Sequence, residues 1–323
     1  MNTYRPAQEQ DEYTHPPTGE SHFNESMYFN FFNHDRAQPS GGFVRIGNRP
    51  NEGKAEVTLL YYLADGGVLF NFQRPQIKNN LAFDAANMHF EVIRPFRELA
   101  VRYQGPAFHL LEPLALANPK EALSQARAVT VELELAVEGL SEVYGGVSDQ
   151  DSLGSEEVSF AKAHYEQHIN SKGFLTADGR RFEIDGLGLR DHSWGPRYWQ
   201  APKYYRWLTV QFDRGHGLML TVFASPSGKT AMSGFLHRSG RNTLIHEVEI
   251  ETSYAESGPY QKEIRARFTT EKGEKLSLNG RVLSLVPLRN RRKDQTTRIC
   301  EGFTRYELDG KVGYGISEYL DQE

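Results

Sequence analysis

Apolar side chains stand at every second position from Val129 through Val131, Leu133 and Leu135 to Val137, with Glu132 and Glu134 between them. A helix would scatter these residues around its circumference, whereas a strand gathers them on one face. The alternation returns at Leu244, His246, Val248 and Ile250 against Glu247, Glu249 and Glu251, and at Ile264, Ala266 and Phe268 against Arg265 and Arg267. Strands are also expected at 56–63, 68–72, 88–93, 99–103, 204–212, 218–223, 276–285, 304–308 and 314–319, and Ala64-Asp65-Gly66-Gly67 supplies a hairpin turn. Turns spaced by roughly ten residues point to sandwiches or barrels rather than alternating β-α-β units. Only Pro119 and the helix formers of residues 120–126 predict a helix.

A chain of 323 residues exceeds one average domain, so two units are expected. The acidic, turn-rich stretch 148–157 ends the first run of strands, and 161–200 form a bridge unlike either flank. With 37 basic and 42 acidic residues the formal charge is -5, which leaves no global positive field for nucleic acid. Residues 1–19 are polar, with Pro6, Pro16 and Pro17, and read as an extended arm rather than a signal peptide. No run approaches the ~18 to 20 apolar residues of a membrane span, so a cytoplasmic protein is expected, with transient membrane contact the most a bilayer would see. Cys300, the one cysteine, has no activating neighbour in sequence and reads as a quiet, partly buried thiol.

Several motifs imitate chemistry. Ser227-Gly228-Lys229-Thr230 has Phe223 where a phosphate loop needs its first glycine, and reads as a β-turn. Arg289, Arg291, Arg292 and Lys293, with Asn290 and Asp294 among them, read as a solvated hairpin end. His164 and His168 would share a helical face, but Tyr165 stands where a zincin motif carries glutamate, and His89, His109 and His192 lie far apart. Neither a metal nor a cofactor is expected.

The segment Asp185-Gly186-Leu187-Gly188-Leu189-Arg190-Asp191-His192-Ser193-Trp194-Gly195-Pro196-Arg197 departs from strand alternation. It concentrates an acid, an imidazole, a hydroxyl, an indole and two guanidinium groups between glycines. One reading is structural, with Asp191 paired to Arg190 or Arg197 and Trp194 closing a barrel end. The functional reading gives Asp191 a proton retained by burial against an indole, and makes His192 the base or the group that orients water. Trp194, Trp199, Tyr204, Tyr205 and Trp207 supply ring faces that steady positive charge on a substrate, and Arg190 and Arg197 tune the local field. Ser193 beside His192 and Asp191 makes no hydrolase triad, because consecutive residues of extended backbone point in alternating directions. No nucleophile elbow is present either.

The run Gly188 to Arg197 resembles the hallmark of the carotenoid 1,2-hydratase superfamily, which includes AttH-like proteins. His164-Tyr165-Glu166-Gln167 and Gly313-Tyr314-Gly315-Ile316-Ser317-Glu318-Tyr319 are similar to it as well. The resemblance implies an all-β chain of two lipocalin-like antiparallel barrels packed together, drawn here at 20–165 and 166–323 with 185–200 at the junction. It implies a cofactor-independent hydratase, lyase or isomerase that moves a proton on an apolar, unsaturated terpenoid, steroid or polyketide-like molecule. His192 and Trp194 match the superfamily's histidine and tryptophan, and Tyr205 and Asp213 stand where its tyrosine and aspartate on a following strand would fall. Related folds act as pericyclic cyclases. A non-catalytic carrier of lipophilic ligands is the rival from another class, and a small hydrophobic molecule is the expected partner in every case.

Overall fold

The computed structural model describes residues 4–34, 37–148, 163–292 and 294–323. Twelve strands among them form one sheet: β1 (Tyr4–Pro6), β2 (Phe23–Asn33), β3 (Gly41–Arg49), β4 (Lys54–Tyr62), β5 (Val68–Gln73), β6 (Phe83–Ala85), β7 (Met88–Arg94), β8 (Glu98–Leu110), β9 (Arg127–Gly139), β10 (Tyr144–Ser148), β11 (Ala163–Ala177) and β12 (Arg180–Pro196). Eight more close a barrel in sequence order: β13 (Tyr204–Asp213), β14 (His216–Ala224), β15 (Thr230–Arg238), β16 (Arg241–Tyr254), β17 (Gln261–Thr270), β18 (Lys275–Arg292), β19 (Gln295–Leu308) and β20 (Lys311–Gln322). The expected helix is α1 (Pro119–Gln125).

The second half thus meets the barrel expectation and the first half does not. Strand β9 bridges β8 and β11, so the first sheet curls back toward itself, but β1 with β10 and β6 with β7 branch from it. Strand β11 gives Tyr144 to Val147 of β10 one half of its edge and β9 the other half. The first unit is therefore a branched twelve-stranded sheet rather than a simple closed barrel. The boundary drawn at 165/166 falls inside β11; pairing passes from sheet to barrel between Pro196 and Tyr204. Of the acidic stretch 148–157, all but Ser148 lies outside the described residues.

The smaller expectations hold among the described residues. Ala64–Gly67 joins β4 to β5, Gly228 turns the chain between β14 and β15 with a φ of 85°, and Arg289 to Arg291 approach the β18–β19 hairpin end. Cys300 is 1% exposed, and burial pushes its thiol up to about 12. Among the described residues, no helix is long and apolar enough to cross a membrane.

Each unit has its own core, and a third apolar cluster joins them. Phe32, Phe43, Leu60 and Tyr62 of the sheet meet Phe303, Tyr314 and Ile316 on the barrel's outer wall, with Phe32 stacked on Phe303 at 4.9 Å. Leu116 and Ala122, before and within α1, close one side of this joint. Polar bonds key it as well. The β12–β2 ladder opens at Gly188 and Leu189, where the Leu189 amide donates to Asn30 Oδ1 (2.8 Å) and the Gly188 amide to Gln211 Oε1 (3.0 Å). A Cβ at Gly188 would stand 2.0 Å from the Asn30 carbonyl oxygen, so only glycine admits that approach.

His168 of β11 is fully buried in the joint beside Phe235 and His237, and burial followed by the charge of His237 pushes its imidazole down to about 3. Its folded pKa lies below the ordinary 6.5, so between those values the unfolded chain binds a proton the folded chain refuses. The stability tied to this group is complete above pH 6.5 and declines as pH falls, by about 1.4 kcal/mol per pH unit. Urea midpoints between pH 6.5 and 4 are expected to show that slope, and the His168→Gln protein to lack it. Parallel profiles would refute the assignment.

Candidate functional site

Strand β12 is buried on both faces over Gly186–Gly195, Asp191 alone being half open, and its alternation deals the motif to two separate places. Arg190, His192 and Trp194 point inward, away from the barrel. Arg190 is fully buried and clamps Glu12 with two bonds, Nη1 to Oε1 at 2.5 Å and Nη2 to Oε2 at 2.8 Å, while Nε donates to Gln167. The Tyr165 hydroxyl donates to Glu12 Oε1 (2.7 Å) and lies 3.0 Å from His192 Nδ1; His192 Nε2 is 3.0 Å from Glu25. His15 meets the same Glu25 carboxylate at 2.7 Å and stacks on Trp194 at 3.9 Å. Burial alone would raise Glu12 and Glu25, but Arg190 carries Glu12 below the usual carboxylate range, and His15 with His192 bring Glu25 down to about 2.

Asp191 and Ser193 face the barrel instead, across the interface between sheet and barrel. Asp191 is hydrogen-bonded to His164, whose side chain keeps 42% of its surface open. The Asp191 charge raises the imidazole to about 9, and His164 in return lowers Asp191 against the effect of its own burial. Glu166, 1% exposed, accepts from Trp207 Nε1 (2.8 Å), has Oε1 3.6 Å from His164 Nε2, and leaves Oε2 with no hydrogen-bond partner. Burial, with Asp191 adding repulsion, pushes Glu166 up to about 7. On the barrel side of the interface the Tyr205 hydroxyl donates to Glu318, which burial and Asp191 also push up to about 7. Glu301, 5% exposed and with Oε2 unpartnered, is pushed up to about 8 by burial.

The motif's residues therefore do not converge. Asp191, Trp207, Tyr205 and Arg197 lie on the barrel side of β12; His192, Trp194 and Arg190 are buried on its opposite face. Asp191 does not retain a proton as expected, because an ion pair with His164 replaces the expected shelter of an indole. Asp213 ends β13 exposed and bound to Lys311 Nζ (2.7 Å), eight residues and most of a strand from Tyr205. Tyr204 points to the opposite side of β13 from Tyr205 and lies under Arg206 at 4.8 Å. Trp199 sits in the crossing segment beneath Arg45 and Arg197. Sequence reasoning missed Glu12, His15, Glu25, Glu166, Glu301 and Glu318. Of these only Glu166 and Glu318 lay in quoted segments, His164-Tyr165-Glu166-Gln167 and Gly313 to Tyr319.

Two groups among the described residues bring three metal-ligating atoms within 4.8 Å of one another, His15 with Glu25 and His192, and His164 with Glu166 and Asp191. The first is occupied by its own hydrogen bonds. In the second, the unpartnered Glu166 Oε2 is suited to hold a proton, a water or a cation.

The profile of a family described as a domain of unknown function (DUF7064) matches residues 8–323. No curated protein matches the chain. Among solved structures, a putative AttH from Nitrosomonas europaea aligns at 12% identity with a TM-score of 0.55, covering 94% of this chain and 94% of that one. CghA aligns at 14% identity with a TM-score of 0.55 over 93% of this chain and 88% of its own, and CghA with Sch210972 at 14% and 0.56 over 98% and 94%. At such identities the likeness establishes a shared fold; it bears on the AttH-like architecture and not on carotenoid hydration.

Proposed function

We propose that this chain, which belongs to the DUF7064 family, transfers a proton to an apolar, unsaturated small molecule bound at the interface between sheet and barrel, as a hydratase, lyase or isomerase. The observation that carries the reading is Glu166: a buried carboxyl pushed up to about 7, oriented by Trp207 through one oxygen and unpartnered at the other. A carboxyl still about half protonated at pH 7, with one oxygen unpartnered, is suited to general-acid catalysis. The acid assigned from sequence, Asp191, becomes its positioning partner, repelling charge from Glu166 while holding His164 cationic. Trp207 and Tyr205 supply ring faces for developing positive charge, with Tyr28 set edge-on to Trp207 at 5.5 Å. The resemblance of Gly188 to Arg197 to the carotenoid 1,2-hydratase hallmark supports the choice of an apolar substrate.

The test is isotopic. A panel of isoprenoid and polyketide-like polyenes incubated with the protein in deuterium oxide enriched in heavy oxygen is expected to yield product carrying deuterium on carbon, with heavy oxygen added if the reaction is hydration. Turnover without solvent deuterium would overturn proton transfer and favour a pericyclic cyclase. Binding without turnover across the panel would favour a carrier.

A further inference from the structure

Positive charge gathers around Arg45 and Arg197 beyond what the neighbouring carboxylates neutralise. Glu52 holds Arg49 Nη1 (2.8 Å) and Lys54 Nζ (2.7 Å), while Glu56 is shared by Arg45, Arg49 and Arg74 at 3.8, 3.7 and 3.6 Å. Four cations thus stand against two anions, and Arg197, bonded to Ser193 Oγ at 2.9 Å, adds a fifth. Of the other carboxyls acting on Arg45 or Arg197 from the barrel side, Glu301 is pushed up to about 8 by burial and gives little neutralisation near pH 7, while Glu318, pushed up to about 7, gives only part of a charge. Asp191 also acts on both arginines, but His164 already pairs it.

Arg45 Nη2 is buried and has no hydrogen-bond partner. A guanidinium nitrogen withdrawn from water and left unbonded is costly, and such groups normally meet an acceptor. Arg45 and Arg197 also stand over one ring, their guanidinium carbons 5.7 and 5.5 Å from the Trp199 centroid. Two like charges beside one indole repel each other, and burial with that repulsion pushes Arg197 down to about 10. A planar oxyanion answers these conditions together, because it accepts from a guanidinium fork, neutralises the excess and relieves the repulsion.

We infer that Arg45 and Arg197, braced by Trp199, receive a carboxylate at one end of a substrate whose unsaturated chain extends toward Glu166. The inference deepens the reading of the Glu166 surroundings as a reaction site and rests on it for the second half of that statement. It names the substrate class: an apolar unsaturated acid rather than a neutral hydrocarbon. Glu301, whose Oε2 is also unpartnered, offers an O–H donor to the same anion when neutral.

The test uses the intact protein at pH 7 with three matched 18-carbon triene probes, α-linolenic acid, its methyl ester and the corresponding alcohol, titrated calorimetrically and by tryptophan fluorescence. The acid is expected to bind at least tenfold more tightly than either neutral probe. Arg45→Met should abolish that preference while leaving ester binding within twofold. Should the methionine protein not fold, Arg45→Lys serves in its place and is expected to reduce the preference several-fold by removing the planar fork. Equal binding of acid and ester, binding of none of the three, or a preference unchanged by the Arg45 variants would overturn the inference. Equal binding leaves proton transfer by Glu166 standing, whereas acid-selective binding with no deuterium uptake in turnover removes the Glu166 role and leaves the anion site.

Discussion

Replacing Arg190 by methionine is expected to cost the protein about 3–5 kcal/mol of folding stability, read as a fall in the urea midpoint with little change in slope. The whole effect follows from sealing. Arg190 and Glu12 are both fully buried, and the pair is joined by two short bonds, so truncating one leaves the other's charge uncompensated away from water. The Tyr165 hydroxyl and the Phe96 amide still donate to Glu12 and soften the loss without replacing a cation. Converting both members at once, Arg190→Met with Glu12→Leu, should recover much of the stability, because two apolar groups of similar volume owe no desolvation. A single variant as stable as the parent would show that Glu12 reaches water and that this face of β12 is open.

Glu166→Gln is expected to lower kcat/KM roughly 10²- to 10⁴-fold on any substrate that acquires solvent deuterium, with binding little changed. Glutamine keeps the Trp207 bond through its carbonyl oxygen and loses only the transferable proton. The pH profile carries the sign. Glu166 works protonated and titrates near 7, so kcat/KM should hold at mildly acidic pH and fall tenfold per unit above about 7. Its folded pKa is raised above the ordinary 4.5, so the stability it contributes is complete below 4.5 and is lost as pH rises through about 7. Unchanged turnover in the variant would return the reaction to shape alone, as in a cyclase.

The strands read from strict alternation were those with one wet face. Val129 to Val137 alternate because Glu132 and Glu134 face solvent, and β9 follows. Two of the strands that build the site, β2 and β12, escaped for the opposite reason. Phe23 to Phe32 of β2 and Gly186 to Gly195 of β12 are covered on both sides, so nothing forces polar residues onto every second position, and the periodic signal vanishes. Residues 185–197 looked irregular because a strand serving two buried polar clusters carries charged groups on both faces. Arg190 and Asp191 were correctly singled out as exceptional, but adjacency in sequence placed them on opposite sides of the sheet. Their partners were illegible: Glu12 and Glu25 come from segments 165 and more residues away, and Glu318 from the last strand. The N-terminal residues expected to form an extended arm bury Asp11 and Glu12 against the sheet.

That arrangement also imposes an order on synthesis. Strand β2 must wait for β12 to pair along its second edge, and Glu12 waits for Arg190, a separation of 178 residues. The ribosome therefore releases the beginning of this protein well before its complements exist, and the incomplete sheet carries an unpaired β2 edge and an unmatched buried acid through that interval. The barrel has no such delay, since each of its strands pairs with the one made just before it until β20 closes on β13. The half of the chain that emerges first is thus the half that finishes on the arrival of Pro196, and chaperone dependence in the cell should concentrate there.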